Sequence, residues 1–181
     1  KERKDDLPRN GIVLKTIVTS ELGRAVAAKY GVQTIDTLTG FKFISEKIKE
    51  FIQSGEFKFL FGYEESYGYL IGDFVRDKDA VQAALMTAEM AAYYKSYGKT
   101  LSNALADLYD ELGYYKEYLK SITRTGKEGQ KTISRIMEVF RNHSPHLIDG
   151  IAVVAVEDYK LGIRRGMNGL TEQLTLPQAN V

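Results

Sequence analysis

The chain contains no cysteine, which excludes a disulfide framework, a thiolate zinc site and a cysteine nucleophile, and which fits a reducing compartment. It also has almost no net charge: 25 Lys and Arg against 24 Asp and Glu leave +1, so a nucleic-acid surface built on bulk positive charge is not expected. No apolar run approaches the roughly 20 residues a membrane helix needs, and the charged stretch from Lys1 to Asp6 has no apolar signal core behind it. These absences lead us to expect a soluble, cytoplasmic protein without nucleic-acid or membrane partners. Several motifs are missing too: there is no Walker-type glycine loop, no Gly-x-Gly-x-x-Gly after the first strand, and no His-Glu-x-x-His. The two histidines, His143 and His146, flank Pro145 with no carboxylate cluster nearby. They read as exposed turn residues rather than metal ligands.

What is present is an ordinary globular composition. With 181 residues, 44% of them hydrophobic and 27% charged, the chain is long enough for one domain or two small ones. Over residues 11–61 the apolar period switches repeatedly. Ile12, Val13, Leu14, Ile17 and Val18 suit a buried strand, and Ser20 reads as an N-cap for a short helix ending at Gly31. A second strand follows at 32–35. Ser45 is expected to open another helix, with Ile48, Phe51 and Ile52 at core spacing and Ser54-Gly55 as its stop. Phe57, Phe59 and Phe61 alternate as a third strand. The fold class expected from this order is α/β, a three-layer arrangement with a mixed, largely parallel sheet between helices.

The glycine- and tyrosine-rich stretch 62–73 reads as a long loop after that strand. Asp79 is expected to cap an Ala-rich, mostly buried helix ending at Gly98, and Thr100 to cap the next, closed by Gly113. Residues 116–125 read as a strand or connector, and Gly126-Lys127-Glu128-Gly129 as a boundary. Beyond it, Ile133, Ile136, Met137 and Phe140 mark one helix that Ser144-Pro145 ends. Residues 151–156 suit a strand, and 174–176 a short one. This final part is a small, incomplete α+β segment by the size rule.

One segment asks for a chemical reading. Glu64, Glu65 and Ser66 stand at the C-terminal end of an apolar strand, where open α/β sheets bind ligands. An ionised Glu accepts charge-assisted hydrogen bonds from neighbouring sugar hydroxyls, and a serine two positions on can donate or accept. Tyr63, Tyr67 and Tyr69 offer ring faces to sugar C–H surfaces. The alternative is that both glutamates are solvated loop charges and the tyrosines cover the sheet end. Thr39 and Gly40 follow the second strand, where glycine lets backbone approach a ligand. Arg76 and Lys78 bring two cations to a helix N-terminus, a weak sign of an anion site.

Four segments in order, Lys15-Thr16-Ile17-Val18-Thr19-Ser20, Thr37-Leu38-Thr39-Gly40-Phe41-Lys42-Phe43-Ile44, Gly62-Tyr63-Glu64-Glu65-Ser66-Tyr67-Gly68 and Arg76-Asp77-Lys78-Asp79, resemble the third domain of the α-D-phosphohexomutases, in the phosphoglucomutase/phosphomannomutase branch. Residues 126–181 resemble the start of that family's fourth domain. The resemblance implies residues 1–120 as a sugar-recognising domain, short of its first strand and helix, and 121–181 as an incomplete phosphate-binding domain. It implies that Glu64 and Ser66 grip the sugar hydroxyls and that Thr39 and Gly40 help recognise the sugar's orientation. Lys78, and with it Arg76, would face the substrate or the transferring phosphoryl group. The parent reaction it implies moves phosphate between C1 and C6 of a hexose phosphate through a phosphoserine, with Mg²⁺ and glucose 1,6-bisphosphate as intermediate.

The resemblance has gaps. The family's Thr-x-Ser-His-Asn-Pro, Asp-x-Asp-x-Asp-Arg and Arg-x-Ser-Gly-Thr loops are absent, and Tyr69 stands where many members have a His. The chain is therefore expected to carry no catalytic residue and no metal ligand, to be inactive alone, and to need the remaining domains of its parent. A free-standing sugar-phosphate-binding module and a phosphomannomutase fragment are the alternatives.

Overall fold

A computed structural model describes residues 6–119 and 121–176. Residues 1–5, most of the charged N-terminal stretch, lie outside them. The chain divides into two compact units, Lys1–Glu117 and Tyr118–Val181. No helix among the described residues is long and apolar enough to cross a membrane.

The first unit is a three-layer α/β structure. It runs β1 (Gly11–Thr16), α1 (Leu22–Lys29), β2 (Gln33–Thr37), α2 (Phe41–Ser54), β3 (Lys58–Glu64), β4 (Gly68–Ile71), α3 (Ala80–Ser96) and α4 (Leu101–Leu112). The sheet order is β2-β1-β3-β4. The β1 strand lies parallel to both β2 and β3, and β4 returns antiparallel to β3. The largely parallel sheet expected from the alternating periods is therefore present.

One face of the sheet holds the core. Ile12 and Leu14 of β1, Phe59 of β3 and Leu70 of β4 pack against Phe41, Ile44, Ile48 and Phe51 of α2. This stripe begins one turn earlier than expected: α2 opens at Phe41, not Ser45. Gly40, at φ 119°, makes the turn that lets Phe41 reach the core. The stop at Gly55 is as expected, a left-handed C-cap whose N–H donates to the Phe51 carbonyl at 2.8 Å. At α1 the cap position falls on Glu21, while the Ser20 hydroxyl accepts from the Leu22 N–H.

The three phenylalanines do not share a face. The register of β3 against β1 shifts, with Ile12 opposite Phe59 but Val13 opposite Phe61, leaving Leu60 as the extra residue of a bulge. Phe59 stays in the α2 core, whereas Phe61 lies with Val13 on the α1 side and stacks on Tyr63 and Tyr69, with ring centroids 5.3 and 6.3 Å away. A pocket of about 460 Å³ opens between this face and α1, lined by Val13, Gly23, Val26, Phe61, Tyr63 and Tyr109 among others.

The stretch read as a long loop is mostly a hairpin. β3 continues to Glu64, three residues turn, and β4 begins at Gly68. The α3 helix also departs from expectation. Asp79 caps it, accepting from the N–H groups of Val81 and Gln82, but none of its residues is buried, and Val81 and Leu85 are 80% and 68% exposed. Its apolar residues run all round the helix, and its main packing partners among the described residues are β4 and α4. At α4, Thr100 and Asn103 form the capping box, each side chain accepting from the other's N–H.

Residues 113–119 and 121–125 are irregular. The second unit opens with α5 (Gly126–Asn142), whose first turn contains Gly126 to Gly129. The strand expected at 151–156 is split: Asp149 and Gly150, both at positive φ, turn β5 (Leu147–Ile148) back onto β6 (Ile151–Ala152). The residues after this hairpin enter a separate antiparallel sheet of β7 (Ala155–Asp158), β8 (Ile163–Gly166) and β9 (Thr171–Gln173). That sheet ends at Gln173, so 174–176 form no strand, and 177–181 lie outside the described residues. Arg141 ties α5 to β7 through a 2.6 Å ion pair with Asp158, a carboxyl that burial pushes up but that Arg141 holds below its ordinary value.

Candidate functional site

The site is built at the carboxyl ends of β1, β2 and β3. Glu64 is the last residue of β3 and only 5% exposed. A carboxylate so buried needs a partner, and Lys78 provides it, with Nζ 2.7 Å from Oε1. That hydrogen bond holds the lysine above its ordinary value, against the opposing effect of desolvation. Half of the Lys78 side chain is exposed, so the pair has a wet end and a dry end. Gly68 faces Glu64 across the hairpin. A Cβ there would come within 2.6 Å of the Glu64 Oε1, so the carboxylate occupies space that only glycine leaves.

The other residues singled out from the sequence are placed around this pair. Gly40 is the N-cap of α2, which has no side-chain cap bond, and Thr39 precedes it half-buried. Phe41, next in the chain, has its ring centroid 6.0 Å from the Lys78 Nζ. The loop carrying Arg76 is fastened to the same helix, because the Ser45 hydroxyl donates to the Arg76 carbonyl. The Arg76 side chain is exposed, with no ion pair among the described residues. Ser66 is exposed at the hairpin turn. Glu64 and Lys78 are thus in direct contact, Gly40 and Arg76 adjoin them through α2, and Ser66 stands two residues from Glu64 on the turn.

The contacts of two groups of residues were not read from the sequence. Glu65 is not a free loop charge: its Oε2 accepts from the Thr16 and Thr19 hydroxyls at 3.0 and 3.1 Å, and its N–H donates to the Thr19 Oγ1 at 3.0 Å. Beside this, Lys15 is completely buried. Its Nζ lies 2.7 Å from Glu21 and 3.1 Å from Asp36, and donates to the Thr16 and Thr19 carbonyls. Arg24 bridges the same two carboxylates, each at 2.6 Å. Burial pushes Glu21 up, but its hydrogen bonds and charge contacts with Lys15 and Arg24 hold it below its ordinary value. A lysine in the middle of an apolar strand was the available signal, since a buried ammonium must be paired.

Tyr63 points to the other side of the sheet. Its hydroxyl is buried without a hydrogen-bond partner among the described residues, and burial, helped by Glu21, pushes it up to about 12 against the opposing Arg24. Removing an unpaired buried polar group relieves its desolvation. Tyr63→Phe is therefore expected to stabilise the protein by about 1 kcal/mol, read as a higher denaturation midpoint. A lower midpoint would mean that the hydroxyl is paired.

No three His, Asp or Glu side chains among the described residues come together as a metal site.

Comparison with known proteins follows the same lines. Residues 1–112 match the family model described as phosphoglucomutase/phosphomannomutase, alpha/beta/alpha domain III. A phosphoglucomutase of Staphylococcus haemolyticus is 41% identical over 177 residues, covering 97% of this chain and 32% of the relative. One from Staphylococcus epidermidis is 38% identical over 181 residues, covering 99% and 33%. A crystal structure of a putative phosphomannomutase from Thermus thermophilus aligns with a TM-score of 0.47 at 23% identity, over 58% of this chain and 22% of that one. The chain thus spans about a third of the length of the curated relatives it matches.

Proposed function

Because the chain belongs to the phosphoglucomutase/phosphomannomutase family, through its α/β/α domain III, we propose that it is the sugar-gripping part of a phosphoglucomutase. The parent would interconvert glucose 1-phosphate and glucose 6-phosphate through a phosphoserine and glucose 1,6-bisphosphate. The observation that carries this reading is the buried Glu64 carboxylate at the end of β3, paired with Lys78 and given room by Gly68.

A carboxylate and an ammonium 2.7 Å apart suit a sugar hydroxyl, which donates to the one and accepts from the other. Glu64 and Ser66 would hold neighbouring ring hydroxyls. This grip serves a substrate that must bind in two orientations, because the hydroxyls remain the same when the phosphate end is exchanged. Thr39 and Gly40, at the start of an uncapped helix, would meet the sugar's orientation-dependent end. Arg76 and Lys78 add positive charge where a phosphate would lie. Mg²⁺ offsets charge at the phosphoserine in such a reaction, and its ligands, like the serine, would come from outside this chain. In this reading residues 121–181 begin the fourth domain, and the protein is cytoplasmic.

The test is a coupled assay. The full-length protein containing this chain is expected to form glucose 6-phosphate from glucose 1-phosphate, and the 181-residue chain alone to form none. Absence of turnover by the full-length protein, or turnover by the chain alone, would overturn the reading.

A further inference from the structure

Glu65 is the one residue of the hairpin turn whose side chain is tied to another part of the fold. Glu65 and its neighbours in the turn, Ser66 and Tyr67, are all exposed, and neither neighbour has a side-chain hydrogen bond among the described residues. Glu65 by contrast is held at both backbone and side chain, with three hydrogen bonds to Thr16 and Thr19, residues 46 to 49 positions away. Those anchors are themselves fixed. Thr16 is completely buried and Thr19 only 8% exposed. The Thr19 N–H donates to the Thr16 carbonyl at 3.0 Å, and the buried Lys15 ammonium donates to both of their carbonyls.

We propose that Glu65 is a positioning residue, a latch that fixes the hairpin turn on the loop after β1 and so sets the placement of Glu64 and Ser66 on either side of it. The proposal rests on the reading of Glu64 as the sugar-gripping carboxylate. It adds Thr16 and Thr19 to the working site, although neither is placed to touch substrate.

The chemistry favours a carboxylate at this position. The Thr16 and Thr19 hydroxyl oxygens are 2.5 Å apart, and each also lies within hydrogen-bond distance of the Glu65 Oε2. Three oxygens therefore share two hydroxyl protons, and the Thr19 oxygen also accepts the Glu65 N–H. With both protons directed at the Glu65 Oε2, the shared acceptor holds the two hydroxyls together, and no proton is left for the contact between them. A glutamine can still present its carbonyl oxygen there. An aspartate keeps the charge but is one methylene too short, and an alanine leaves both hydroxyls without their shared acceptor.

The experiment uses the full-length protein, with glucose 1-phosphate as substrate. Glu65→Ala and Thr19→Val are each expected to lower kcat/KM about 10-fold, chiefly by raising KM, because a small displacement of a gripping group weakens binding before it alters the chemical step. Glu65→Gln and Thr19→Ser are expected to retain most of the activity. The double variant Glu65→Ala with Thr19→Val should lose no more than either single one, since both remove the same contact. If Glu65→Ala fails to fold, Glu65→Asp replaces it and is expected to lose activity in the same way. The latch is overturned if Glu65→Ala, or Glu65→Asp in its place, stays within about twofold of the parent, or if the two losses multiply. A control separates the layers: Glu64→Ala that is inactive beside an unaffected Glu65 variant sinks the latch alone, whereas an unaffected Glu64→Ala sinks the reading on which it rests.

Discussion

Glu64→Ala in the full-length protein is expected to lower kcat/KM for glucose 1-phosphate by at least about 100-fold, since hydrogen bonds to an ionised group contribute roughly 1.5–3 kcal/mol each and a sugar offers two hydroxyls to this carboxylate. The loss should appear without unfolding. The Glu64 side chain lies at the end of the sheet rather than within the α2 core, and the Lys78 left behind is about half exposed, so water takes over its solvation. Glu64→Gln separates charge from shape, because the amide keeps one acceptor but loses the ion pair, and it should fall between the parent and the alanine variant. Steady-state kinetics with a melting curve on the same preparations decide the matter. Retention of more than about a tenth of the activity by Glu64→Ala would be incompatible with the two bonds counted here.

Gly68→Ala is expected to cost at least about 10-fold in kcat/KM and to lower stability by about 1–3 kcal/mol. The added methyl group would stand 2.6 Å from the Glu64 Oε1 and 2.7 Å from its Cγ. No backbone atom is among its three nearest contacts, and Gly68 is not among the positive-φ glycines, so alanine can adopt the same backbone. What must move is the Glu64 side chain from its Cγ outward, which displaces a buried, ion-paired carboxylate and so costs the fold as well as a group proposed to meet a hydroxyl at a fixed place. Unchanged kinetics in this variant would mean that Glu64 works from a different rotamer than the one paired with Lys78.

The sequence revealed the fold wherever apolar period and β-branching agreed. β1, β2 and β3 with α1 and α2 between them were visible because buried parallel strands and one-faced helices have different periods. The β4 strand was hidden for a local reason. The turn before it places Tyr67 at φ 64°, a left-handed position where glycine or asparagine is the usual signal, and the glycines that are present, Gly62 and Gly68, lie in the strands instead. The α3 helix misled because an apolar residue count says how much surface could be buried, not how much meets a partner.

Within the candidate site, Glu64 was singled out from its position at a strand end. Glu65 could not, because two glutamates in succession look alike until the fold brings Thr16 and Thr19 to one of them. The Lys15 cluster was signalled only by a charge inside an apolar run, with its partner Asp36 on a different strand.

The bulge at Leu60 has a consequence for how the hairpin can vary. Along a strand, side chains alternate between faces, so one additional residue inverts every position after it. Phe59 faces α2, and beyond the bulge Gly62 and Glu64 return to that face while Phe61 and Tyr63 take the other. Had Leu60 instead paired with Val13 in a regular ladder, every later side chain would change face, sending the Glu64 carboxylate toward α1 and the Tyr63 hydroxyl toward Lys78, whereas deleting Leu60 would leave Phe61 opposite Val13 and every face as it is. The bulge, rather than the residue count of the strand, therefore sets the phase of the hairpin: one surplus residue is set aside so that Glu64 returns to the α2 face.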